Sequence, residues 1–198
     1  MAEMDIYNYH QDAFKGIYAD LVAVLGNKPS QIAFELEAVL SHLAVAKTDP
    51  DHEEENLKKS LHHLQRASLD ASKMLWLEFR NRLDVYMKDS DIRKFCINSP
   101  EAEFVKLYEN AEKLALEARR TEIKNVGKNP EASVAQYYAA ALEFKKALGL
   151  VDTDKIREFK KFCIFRFIKQ QWVGFAFGVL ASLVASYVWT NYLCNPNQ

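Results

Sequence analysis

Apolar residues recur at every third or fourth position along most of this chain, with polar residues between them. Ile6, Phe14 (or Ala13), Ile17, Leu21 and Val24/Leu25 share one helical face, with Tyr9/His10 beside them. Ile32/Ala33, Leu36, Val39/Leu40, Leu43 and Ala46 repeat the arrangement. A greasy stripe with a polar back is the pattern of a helix laid against a core. From Pro50 to about Lys88 the stripe runs Leu57, Leu61, Leu64, Ser68, Ala71, Leu75, Phe79 and Leu83, with Tyr86/Met87 continuing it. Unbroken, that helix measures roughly 58 Å at 1.5 Å per residue. Phe104, Leu107/Tyr108, Ala111, Leu114/Ala115 and Ala118 face inward on a further helix. Val134, Tyr137, Ala141, Phe144 and Leu148 do so on its neighbour. The alanines permit close helix approach, and the pair is expected to be antiparallel, joined by the short turn Gly127-Lys128-Asn129.

Punctuation agrees with the periodicity. Asp49-Pro50, Ser99-Pro100 and Asn129-Pro130 each set a capping side chain before a proline suited to the first helical position. Gly26, Gly127 and Gly149 sit where helices should stop. No alternating β-branched run and no Asn-Gly or Asp-Gly turn is present. The pattern predicts helices near 3–25, 30–47, 50–88, 100–126, 130–148 and 153–193, with a short piece near 91–97. Asp152 or Thr153 can cap the last of them.

That last helix departs from the amphipathic rule. Trp172 to Leu193 is a run of 22 residues without a charge. As a helix it spans about 33 Å, enough to cross a bilayer core of about 30 Å. The fold class expected is all-α: a cytoplasmic helical bundle with one C-terminal transmembrane helix. The expected organisation is a cytoplasmic sensor and oligomerisation domain at 1–150, a basic juxtamembrane helix at 151–171, the membrane helix at 172–193 and a short tail at 194–198.

Charge fixes an orientation for this arrangement. The chain of 198 residues has a net charge of only −1, but the distribution is uneven. Lys155, Arg157, Lys160, Lys161, Arg166 and Lys169 lie within 15 residues that hold one acid, Glu158. Interleaved with Phe159, Phe162, Phe165 and Phe167, they suit the anionic inner surface of a membrane, so membrane lipid is an expected partner. By the positive-inside rule the N-terminal domain is expected in the cytoplasm, with a single span across the inner (plasma) membrane. The N-terminus lacks a basic region followed by an apolar run, so no signal peptide is expected. Cys96, Cys163 and Cys194 are odd in number and far apart, which suits a reducing compartment.

Two features are candidates for function. Lys59, Arg66, Lys73 and Arg80 recur every seventh residue along the long helix, with His62, His63, Trp76 and Arg82 nearby. A seven-residue repeat drifts only about 20° per step, so these form one basic stripe. It reads as a groove for a nucleotide or single-stranded oligonucleotide, with Trp76 as a stacking surface. The bland alternative is a solvated face with local pairs, Asp70 with Lys73, Glu78 with Arg82 and Asp84 with Arg80. The second feature lies in the membrane segment. Gly174, Gly178, Ser182, Ser186 and Thr190 recur at every fourth position, and Gly174 to Gly178 is a GxxxG motif. Such a ridge lets helix backbones approach, which points to a homo-oligomer, and its hydroxyl half is a candidate pore wall. Trp172, Tyr187, Trp189 and Tyr192 mark the two interfaces.

Catalytic signals are absent. No Gly-rich phosphate loop, C-x-x-C, H-E-x-x-H or nucleophile elbow occurs, so no enzyme, cofactor or metal is expected. The acidic run Asp51, Glu53, Glu54 and Glu55 reads as favourable charge at a helix N-terminus rather than a metal site.

A basic sensing helix, a basic approach and the Gly174–Thr190 ridge together resemble the membrane effectors of bacterial anti-phage systems. In these a cytoplasmic sensing domain is joined to a transmembrane pore-forming part. The likeness is one of architecture, and among such effectors the Hailong type is most similar. It is an oligomeric ion channel controlled by a DNA oligomer from a partner nucleotidyltransferase. The resemblance implies antiviral defence by membrane depolarisation and abortive infection. It also implies an anionic ligand that holds or releases the channel. The competing expectation is a tail-anchored adaptor that localises a cytosolic partner without pore activity.

Overall fold

The structure, a computed structural model, describes residues 3–126 and 128–190. The expected end of the membrane segment at 191–193 with Tyr192, the tail with Cys194, and Gly127 lie outside the described residues. Every regular element among the described residues is helical. The one β feature there is an isolated antiparallel bridge between Ile97 and Val151. The chain divides into two compact units between Val151 and Asp152.

The first unit opens with α1 (Glu3–Tyr9), a π turn (His10–Phe14) and α2 (Lys15–Leu25). The wider π turn stays in right-handed geometry and passes the chain straight into α2. It brings Ile6, Phe14, Ile17 and Leu21 all into the core, with Phe14 taken over Ala13. Gly26 ends α2 in the left-handed conformation, φ 71°, and its amide bonds Val22 O at 2.9 Å. Any residue with a Cβ is strained there. Then follow α3 (Ser30–Thr48), a 3-10 turn at Pro50–His52, α4 (Glu53–Met87), α5 (Ser90–Phe95), α6 (Glu101–Lys124) and α7 (Glu131–Gly149).

Helix α4 is the axis of this bundle. It packs most extensively on α3 and α7, and α6 packs on α7. Helices α4 and α6 barely approach one another, so a groove runs between them above α7. Leu64, Leu75, Leu83, Phe104 and Phe144 are essentially fully buried. Each such side chain contributes about 1.5–3 kcal/mol through removal from water. The buried faces of α6 and α7, which pack together through the Tyr108–Phe144 ring contact among others, include several small residues: Ala111, Ala115 and Ala118 on one helix, Ala140, Ala141 and Ala147 on the other. The buried face of α4 also includes three serines that the apolar periodicity did not single out as a group. Ser60 bonds Val39 O across to α3, while Ser68 and Ser72 bond carbonyls of their own helix.

The expected caps are revised in part: Asp49 does stand at the cap position before Pro50, and Asp152 does cap the last helix. Pro100 and Pro130 occupy the cap positions of α6 and α7 rather than the first helical position, and Ser99 bonds no helix amide. Asn129 Oδ1 accepts from the Glu131 amide at 2.9 Å. The Asp49 carboxylate is engaged by His52 at 2.9 Å instead of by a helix amide. Side-chain caps come from Asp89 on α5 and Asp152 on α8, each accepting from two successive amides. At the exit from α7 the Asn98 amide donates to Leu150 O at 2.8 Å, next to the Ile97–Val151 bridge.

The second unit is α8 (Thr153–Val188), with residues 189–190 continuing as a π turn. The basic segment and the apolar segment are parts of this one uninterrupted helix, about 54 Å long. It is long and apolar enough to cross a membrane, and the apolar window carries no buried residue.

Candidate functional site

The α4–α6 groove contains most of the basic stripe, but it does not leave it as one open track. Lys59 Nζ lies 2.5 Å from Glu55, one turn back on the exposed surface. Arg66 reaches Glu35 of α3 at 3.3 Å, and Glu35 also receives His63 Nδ1 at 2.7 Å. The His63 ring stacks on His42 with centroids 5.3 Å apart. Lys73 crosses the groove to Glu122 of α6 at 2.5 Å, and Arg80 crosses to Glu112 at 2.7 Å. Of the three local pairs expected on α4, Glu78 with Arg82 forms at 2.8 Å. The other two give way to tertiary partners. Asp70 accepts from Gln31, and Asp84 accepts from the Tyr108 hydroxyl at 2.6 Å.

Glu122 is the hub of the crossing. Besides Lys73 it accepts from the Tyr137 hydroxyl at 2.9 Å and from Arg119 at 3.1 Å. Burial opposes its charge, but the bonds from Lys73 and Tyr137 prevail and hold the carboxyl below its ordinary range. Tyr137 is pushed up to about 12 by burial and by its bond to Glu122. The same arrangement recurs twice. Burial and the Asp84 carboxylate push Tyr108 up to about 12, and burial and Asp20 do the same to Tyr138, whose hydroxyl lies 2.8 Å from that acid. Three phenol–carboxylate clasps thus tie α6 to α4, α7 to α6, and α7 to α2.

The Lys73–Glu122 pair stands between two cavities. The one toward Arg80 has about 520 Å³ and holds Lys73, Trp76, Arg80 and Tyr137. Arg80 lies over the Trp76 ring at 5.8 Å from its centre, and Tyr137 is tilted against that ring at 5.7 Å. The faces of the indole are therefore engaged with its own neighbours, while its Nε1 is buried without a hydrogen-bond partner among the described residues. The other cavity, about 470 Å³, lies toward the start of α4 and receives Lys59 and Arg66. Its wall adds His62, His63 and Gln65 from α4, then Glu122 and Lys128 at the turn into α7. The four stripe residues and Trp76 thus fall into two sets, Lys59 with Arg66 and Lys73 with Trp76 and Arg80. Sequence periodicity missed Glu35, Glu112, Glu122 and Lys128, because partners on other helices leave no trace in the spacing of α4. No cluster of three metal-ligating side chains occurs among the described residues.

On α8 the ridge is present as a continuous exposed strip. A Cβ placed on Gly174 or Gly178 meets nothing within 4 Å among the described residues. Gly178 and Ser182 floor a shallow groove walled by Phe175 and Leu183. The Ser182 hydroxyl donates to Gly178 O at 2.9 Å and Thr190 to Ser186 O at 2.8 Å, each back along its own helix. Lys160, Lys161, Arg166 and Lys169 are exposed on the same helix, while Lys155 and Arg157 lie near Asp152 and Asp154 at 3.6 and 3.1 Å.

No protein-family model, curated protein or solved structure matches this chain.

Proposed function

We propose that this chain is a homo-oligomeric membrane effector. In this reading α8 associates with copies of itself in the inner membrane to form an ion channel, and an anionic ligand of the N-terminal bundle controls it. The observation that carries the reading is the Gly174–Gly178–Ser182–Ser186–Thr190 ridge. It lies exposed along a membrane-length helix, with no atom of the described residues within 4 Å of a Cβ placed on either glycine. Without a hydrophobic driving force between helices in lipid, small residues are what allow backbones close enough to gain packing energy. The basic residues Lys155 to Lys169 support an orientation with the bundle on the cytoplasmic side, facing anionic lipid. The architectural resemblance extends the proposal to anti-phage defence by depolarisation, with a nucleotide or oligonucleotide as the controlling anion.

The test is ion flux through liposomes that contain the purified full-length protein. Wild type is expected to conduct in one ligand state, and Gly178→Leu to abolish conduction by blocking close approach. Absence of flux in every ligand state removes the channel from the proposal. One observation favours a second reading, a membrane-anchored adaptor without a pore: the Ser182 and Thr190 hydroxyls donate to their own helix rather than outward. That reading expects an unrelated membrane helix to replace residues 172–193 with no loss of cellular function.

A further inference from the structure

The two cavities along the basic stripe differ in what their charges are doing. In the cavity at Trp76, Lys73 and Arg80 are each paired with a carboxylate across the groove and Arg80 covers the indole face, although the indole Nε1 is buried there without a hydrogen-bond partner among the described residues. In the cavity at Arg66 the cations are more loosely held. Arg66 is two-thirds exposed and touches Glu35 at 3.3 Å, while Lys59 has only an exposed partner one turn away. Exposed pairs of this kind are weak and easily exchanged for a better anion. Lys128 adds a third positive charge from the α6–α7 turn, opposite α4. The single acid in the wall, Glu122, already receives Lys73, Arg119 and Tyr137.

The floor of this cavity is built for more than a bare ion. Ser133 is 1% exposed, lies in the wall, and its hydroxyl has no hydrogen-bond partner among the described residues. Gln65 is also buried, and its amide nitrogen has only a long contact of 3.4 Å, to Asn129. Buried polar groups are costly when unmatched, so an unmatched hydroxyl in a cavity wall is a place for a ligand atom. Leu69, Val126 and Pro130 supply apolar wall between these groups. A volume of about 470 Å³ falls within the range of small-molecule pockets, roughly 300–1,000 Å³.

We infer that this cavity is a binding site for a compact organic phosphate, of the size of a sugar phosphate or mononucleotide. Its phosphate is held by Lys59, Arg66 and Lys128, and its organic part meets Ser133, Gln65 and the apolar wall. The inference rests on the anionic-ligand reading above and narrows it. The Lys73–Glu122 pair interrupts the stripe, so the site takes one compact anion rather than a strand laid along the whole helix. Arg supplies the planar fork that phosphate oxygens accept, and the two lysines supply point charge.

The experiment is equilibrium dialysis of radiolabelled AMP against the full-length protein in detergent, with competitors. Saturable binding is expected, displaced by ribose 5-phosphate and not by adenosine. Arg66→Gln and Lys128→Gln, both at exposed side chains, should each weaken it about tenfold. Ser133→Ala should weaken it as well while leaving the melting temperature unchanged or raised, because it removes an unmatched hydroxyl. Any of three results overturns the inference: no saturable binding of AMP or ribose 5-phosphate, equal binding by the Arg66 and Lys128 variants, or binding only of oligonucleotides with affinity rising with length. The liposome measurement is separate. Flux without phosphate binding removes this site and leaves the channel, and phosphate binding without flux does the reverse.

Discussion

Small residues at helical spacing occur twice in this molecule, with opposite surroundings. On α6 and α7, Ala111, Ala115, Ala118, Ala140, Ala141 and Ala147 are buried in helices that pack closely on one another, which leaves these positions little room for larger side chains. On α8, Gly174, Gly178 and Ser182 repeat at every fourth position in full exposure, and no side chain of the described residues covers them. The first seam is complete within one chain. The second has the form of a seam with one side present. A small residue in a helix goes with close approach in the bundle, and on α8 the proposed self-association would give it the same meaning.

The largest effect expected from this contrast is a clean separation by one substitution on each side. Gly178→Leu should eliminate oligomers of the full-length protein in detergent, read by mass, without moving the melting temperature of the bundle. Ala141→Leu should do the reverse. Overpacking a tight core costs about 1–3 kcal/mol, so the melting temperature should fall by several degrees while oligomer mass is kept. If Gly178→Leu left the oligomer whole, the ridge would be an incidental feature of a membrane anchor.

The contrast also marks how far the sequence could be read. Periodicity placed the helices and most of the core because burial imposes a repeat of 3.6 residues on each element separately. Leu64, Ala71, Leu75, Phe79 and Leu83 were therefore visible in advance. The α8 ridge was visible because its four-residue spacing of small side chains lies within one helix, although that ridge is exposed. The division of the basic stripe was not. Whether Lys73 is a ligand contact or a structural bridge depends on Glu122, which is 49 residues away on another helix. Likewise the expected partners Asp70 and Asp84 lay at favourable spacing on α4 but were taken by Gln31 and Tyr108. Spacing within one helix ranks local pairs and is silent on the cross-helix pair that displaces them. For the same reason Lys128 and Ser133 enter the candidate site only through the fold.

That division leads to the next prediction. Lys73→Gln leaves Glu122 partly buried with one fewer donor, and should destabilise the bundle by about 1–2 kcal/mol. Lys59→Gln removes only an exposed pair, and should cost under about 0.5 kcal/mol. Urea midpoints of the two variants measure the difference. Equal midpoints would mean that both halves of the stripe are solvated surface. A triple neutralisation including Lys73 and Arg80 therefore mixes a folding defect with any loss of binding, and Arg66 and Lys128 are the cleaner positions.

Alkali should distinguish the two units in another way. The folded values of Tyr108, Tyr137 and Tyr138 lie at about 12, above the ordinary phenol value near 10. A raised folded value means that the protonated phenol is favoured in the fold. The stabilisation is then complete below about pH 10 and is lost as pH rises through about 12. Near-ultraviolet circular dichroism of the bundle should fade over that window, while the helical signal contributed by α8 persists. Replacing all three tyrosines by phenylalanine should flatten the dependence. The acid side has the opposite sign. Glu122 is held below its ordinary range, so its contribution is present at neutral pH and fades as pH falls past the ordinary carboxylate value.

The smallest expected effect lies at Ser182. Its hydroxyl donates to Gly178 O on its own helix, so in the proposed oligomer the side chain would meet a neighbouring copy chiefly as a small volume. Ser182→Ala keeps that volume and removes the back-bond, and should leave oligomer mass unchanged. Ser182→Leu adds bulk at the same site and should reproduce the Gly178→Leu defect. This pair of variants separates the two roles given to the ridge. If Ser182→Ala preserves the oligomer but alters ion selectivity in liposomes, the hydroxyl faces a conducting path. If it preserves both, the residue serves packing alone, and any polar lining of a pore must come from elsewhere on α8.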